Sequence, residues 1–89
     1  MQTALASKEG NMEKYMRIIE LMAQDAERLN AAGCDKYRTY TDIAAEMRAI
    51  YFVAIEDDNL PAGGLRAIRM AYEPIVDKFR REWAEDETC

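Results

Sequence analysis

Apolar residues recur along this chain at steps of three and four in three separate stretches, each bounded by polar or glycine-containing connections. In the first, Met12, Tyr15, Ile19, Met22, Ala26 and Leu29 form a heptad seam. Met16, Ile18 and Ala23 widen that seam into the broad face of a globular helix. Asn11 stands where an N-cap belongs, and Glu13 follows in the first turn, where the helix dipole favours negative charge. Ala31-Ala32-Gly33 closes the run with glycine in the C′ position. The pattern predicts a helix over 11–32. Residues 1–10 carry no such pattern and end on Gly10, a poor helix former, which predicts a flexible N-terminal segment.

The second stretch is the most apolar and the least one-sided. Over Thr41–Glu56 at 100° per residue, Ile43, Ala44, Met47, Ile50, Tyr51, Ala54 and Ile55 share one arc, the predicted core face. Asp42, Glu46, Arg48 and Glu56 lie on the opposite arc, but Ala45, Ala49, Phe52 and Val53 lie there too. An aromatic residue flanked by alanines on a second face marks a helix covered on both sides. The cover is either another helix of the same chain or a partner surface, and the pattern leaves both open.

Before it, Cys34–Tyr40 reads as a short polar and aromatic connection. Thr39 with Asp42 resembles a capping box, and Thr41 or Asp42 is an alternative cap, so the helix is predicted over 41–56. Glu56, Asp57 and Asp58 crowd its C-terminal end, where the dipole disfavours them, so Arg66 or Arg69 is expected to stand nearby.

Asn59-Leu60-Pro61-Ala62-Gly63 is a turn signal, and Leu65, Ile68, Tyr72, Ile75, Phe79 and Trp83 then define a third seam over 64–84. Pro74 interrupts it, removing one backbone bond and crowding the Met70 carbonyl, so this helix is predicted to be kinked or split there. Residues 85–89 form an acidic tail. Three seams joined by short connections predict an all-α fold, a small three-helix bundle running up, down and up.

Composition narrows the function more than it names it. At 89 residues the chain makes one domain with a modest core. Its net charge of −5 argues against binding nucleic acid directly and favours a basic partner. The chain has no histidine, so histidine-based triads and the commonest transition-metal ligand are excluded. The paired carboxylates Asp57/Asp58 and Glu85/Asp86/Glu87 lie in a turn and a tail, where solvated charge is the ordinary reading. Cys34 and Cys89 make a poor disulfide framework and read as free thiols. No catalytic residue, metal or cofactor is assigned, and an enzyme is not expected. The absence of a long apolar run or a signal-peptide core predicts no membrane association and a cytoplasmic protein.

Two surfaces remain. Ala45, Arg48, Ala49, Phe52, Val53, Glu56, Asp57 and Asp58 form a candidate partner interface, for self-association into a homo-oligomer or for docking on a basic, nucleic-acid-binding protein as an inhibitor would. The alternative is an oligomer that sequesters a phosphate-containing small molecule or nucleotide through Lys36, Tyr37, Arg38, Tyr40, Arg66 and Arg69. In an up-down-up bundle those residues fall at opposite ends of the second helix, so one pocket would require residues from two subunits.

Overall fold

The computed structural model describes residues 4–33 and 35–85, and these form three helices: α1 (Ala4–Ala32), α2 (Lys36–Ile55) and α3 (Gly64–Glu85). Cys34, Cys89 and residues 86–89 of the acidic tail lie outside the described residues. The three-helix bundle inferred from the seams is the architecture found. Cross-bonds fix its sense. Asn11 and Tyr15 in α1 bond Asp57, just past the end of α2, while Glu27 and Asn30 meet Lys78 and Glu82 near the end of α3. Thus α1 and α3 run parallel with α2 antiparallel between them, and the body measures 55 × 20 × 16 Å.

The core takes the predicted seam residues from all three helices. Tyr15, Ile19 and Ala26 of α1, Ile43, Met47 and Ala54 of α2, and Ile68 and Phe79 of α3 are buried. Removing such side chains from water is the main stabilising contribution. The most extensive packing is between α2 and α3, whose connection is tight. Gly63 adopts the left-handed φ of 78° that a side chain would strain, and the Gly64 amide donates to the Pro61 carbonyl at 2.9 Å. A Cβ on Gly64 would come within 3.2 Å of the Met12 sulfur, so this glycine lets α1 lie close against the turn.

Several helix boundaries differ from expectation. Helix α1 begins at Ala4 and passes through Gly10, so residues 4–10 of the predicted flexible segment are helical and Asn11 is not a cap. Gly10 is exposed in the helix, where glycine costs about 1 kcal/mol and does not forbid the conformation. Helix α2 begins at Lys36, because Asp35 caps it: the Arg38 backbone N–H donates to the Asp35 carboxylate at 3.0 Å. Thr39 therefore sits inside the helix, buried, its hydroxyl donating to the Asp35 carbonyl. Helix α3 runs through Pro74 without a break, which removes the split alternative. Leu29 and Ile55, placed on seams by periodicity, remain exposed.

Candidate functional site

Helix α2 has the most apolar composition and the weakest sidedness of the three helices. Its inner face is used by both neighbours, and that leaves the outer face bare. Phe52 is 54% exposed and Val53 61%, and Ala45, Arg48, Ala49, Glu56 and Asp58 are exposed beside them. None of the described helices covers Phe52. The Arg48 guanidinium lies over its ring, 5.8 Å from the centre.

Asp57 behaves differently from its acidic neighbours. It accepts hydrogen bonds from the Tyr15 hydroxyl (2.8 Å), the Asn11 amide (3.1 Å) and the Asn59 backbone N–H (2.8 Å). These bonds, with the Asn59 amide contributing most, hold its carboxyl below the ordinary aspartate value. Arg69, one of the two arginines expected to compensate this end of α2, pairs instead with Glu73 on its own helix. Asp57 is thus a structural tie between α1 and the α2–α3 turn, half-buried rather than open to a partner.

A surface that the sequence pattern did not single out lies in the groove between α1 and α2. Met22, Asp25, Ala26 and Leu29 line one wall, and Thr39, Asp42, Ile43 and Glu46 the other. The groove continues past Leu29 and Asp42 into an open hollow of ≈ 360 Å³ bounded by Gly33, Asp35 and Arg38. Partial desolvation raises the Glu46 carboxyl above its ordinary value, and the negative charges of Asp25 and Asp42 push it the same way. Both neighbours have exposed partners of their own, Arg28 on Asp25 and Arg38 on Asp42, and such pairs leave most of the field in place. The periodicity of α2 alone places Asp42 and Glu46 one turn apart; Asp25 joins them only through the antiparallel register of α1. The hollow on the α1–α3 side is balanced instead, with Lys36 and Lys78 facing Glu27 and Glu82.

The predicted phosphate-binding residues are not brought together. Tyr37 and Tyr40 pack on Trp83, with ring centres at 4.8 and 5.6 Å, and close the end of the bundle where α2 starts and α3 finishes. Lys36 and Arg38 share that end, whereas Arg66 and Arg69 stand on the first turns of α3 at the other. Among the described residues no group of carboxylates and thiols is placed to hold a metal ion. Nor is any described helix long and apolar enough to cross a membrane. Comparison with protein-family models, curated proteins and solved structures returns no match.

Proposed function

We propose that this chain is a non-enzymatic protein-binding module that seats a basic segment of another protein in the α1–α2 groove. The observation that carries the reading is the convergence of Asp25, Asp42 and the exposed Glu46 along one groove, where slight burial and the two neighbouring negative charges raise the Glu46 carboxyl. An arginine or lysine inserted there would relieve that repulsion, and Met22 and the exposed Leu29 would receive the apolar stem of the same side chain. The net charge of −5 would draw a cationic partner from a distance. A cytoplasmic protein of this kind could act as an inhibitor by covering a nucleic-acid-binding surface, since the residues such a surface offers are arginine and lysine.

Calorimetric titration with an arginine-rich amphipathic peptide tests this. Binding should weaken as salt rises, disappear in the Asp42→Asn/Glu46→Gln double variant, and survive in Glu13→Gln/Glu20→Gln, which removes the same charge from the exposed side of α1. Equal loss in both double variants would mean that the peptide senses only net charge.

A further inference from the structure

The groove between α1 and α2 has two parts with different linings. Asp25, Asp42 and Glu46 gather along its narrow part, and Leu29 and Thr39 lead from there into the hollow of ≈ 360 Å³. More of the hollow's surface is apolar than polar. Leu29, a wall of both parts, is 53% exposed, and Gly33 contributes no side chain to fill the space. Arg38 at the rim pairs with Asp42, and Asp35 adds a further carboxylate, so the hollow carries no excess positive charge. Both parts are walled by α1, α2 and the connection between them, with no side chain from α3. The midpoint of Asp42 and Glu46 lies seven residues along the chain from the midpoint of Asp35 and Thr39. At a rise of about 1.5 Å per residue, the two parts are about 10 Å apart along α2.

We infer that the basic segment bound in this groove is a helix with a large apolar side chain two turns from its arginine or lysine, and that the hollow beside Gly33 seats that side chain. The inference rests on the groove reading above and adds to it an apolar element of the partner. Charge selects the cationic half of the segment, because three carboxylates converge on the narrow part. Spacing selects the other half: residues seven apart on a helix share one face and are separated by about 10 Å, the distance between the two parts. Helices that dock in grooves use anchors at this interval. An aliphatic side chain entering the hollow would cover Leu29 and take the volume that Gly33 leaves open. The larger hollow of ≈ 700 Å³ beside Met70 and Pro74 on α3 offers no such selection. Its carboxylates Glu73 and Asp77 are already paired with Arg69, Arg80 and Arg81 of the same helix.

Calorimetric titration with two arginine-rich helical peptides tests it. One has leucine seven residues before and seven after a central arginine, which covers either chain direction, and its twin has alanine at both positions. The two residue types have similar helix propensity, so a difference in affinity reports burial of the side chain. The leucine peptide should bind about tenfold more tightly than the alanine peptide. Gly33→Gln should abolish that difference by filling the hollow. The position accepts a side chain, since Gly33 does not adopt the left-handed φ of Gly63 and a Cβ there meets only the Leu29 carbonyl, at 3.8 Å. Gly10→Gln, at an exposed glycine where a Cβ meets nothing, should preserve the difference. Equal affinity of the two peptides for the wild-type protein overturns the apolar seat and leaves the groove reading standing. So does a leucine preference that persists in Gly33→Gln. Failure of both peptides to bind overturns the seat and the groove reading together.

Discussion

Two carboxylates on the α1 side of α2 have opposite fates. Asp57, just beyond the helix, collects three hydrogen-bond donors, and its carboxyl is held low. Glu46, in the middle of the helix, has two negative neighbours and a partly desolvated position, and its carboxyl is pushed up. Both belong to the same excess of acid, so net charge alone does not distinguish them. What does distinguish them is the supply of donors. Asp57 uses its charge to fix α1 against the α2–α3 turn and has little left for a partner. Glu46 is the site whose environment improves when a cation arrives.

The comparison depends on α2 being seated firmly against α1, and the largest effect comes from loosening that seat. Met47 is fully buried. Met47→Ala should cost about 2–5 kcal/mol, read from urea unfolding at neutral pH, because it leaves a cavity between helices that cannot collapse freely. Both carboxyl shifts should relax towards ordinary values in the variant. A loss below about 1 kcal/mol would show that the contact between α2 and its neighbours is looser than the packing implies.

A smaller change addresses Asp57 alone. Tyr15→Phe keeps the buried ring and removes the hydroxyl that donates to Asp57, at a cost of about 1 kcal/mol. The Asp57 carboxyl should move up towards the ordinary aspartate value of about 3.9. Its depressed value in the folded state means that its contribution is fully present above the unfolded value and is lost as pH falls through the folded one. The difference between wild type and variant should therefore be full at neutral pH and vanish in strong acid. A constant difference at every pH would assign the effect to the hydroxyl itself rather than to the charge on Asp57.

The same contrast explains what could be read in the sequence. The bundle was legible because eight core positions in three helices keep the three-and-four spacing that burial on one side demands. Helix starts were misread because Asn11, Thr39, Thr41 and Asp35 are all capping residue types, and only the tertiary setting decides among them. Asn11 and Tyr15 face Asp57 inside a longer helix, and Asp35 precedes Thr39 by one turn and takes the cap. The outer face with Phe52 was visible as a second apolar face, but periodicity does not say which side of a helix its own chain covers. The groove was not legible, because Asp25 meets Asp42 and Glu46 only across two helices. The helical wheel assigned Asp42 and Glu46 to the arc opposite the core face, which pointed away from a groove against α1.

The smallest expected effect has the opposite sign. Glu46→Gln removes a charge that the fold tolerates poorly, so the variant should be more stable than wild type at neutral pH, by about 0.5 kcal/mol or less for so exposed a residue. A carboxyl raised in the folded state binds its proton more tightly there than in the unfolded chain. Its ionised form is therefore the destabilising one, and the penalty is fully present above the folded value. As pH falls below the ordinary glutamate value of about 4.3, wild-type Glu46 is protonated in both states and the advantage of glutamine disappears. Thermal unfolding at neutral pH and again in acid measures both limbs. In the same titration the Glu46 penalty is relieved before pH reaches about 4.3, whereas the Asp57 contribution is lost only below about 3.9, so the two carboxylates separate both by sign and by pH window. A glutamine variant less stable than wild type at neutral pH would mean that Glu46 already has a cationic partner, and the groove would then have no unmet charge to offer a basic segment.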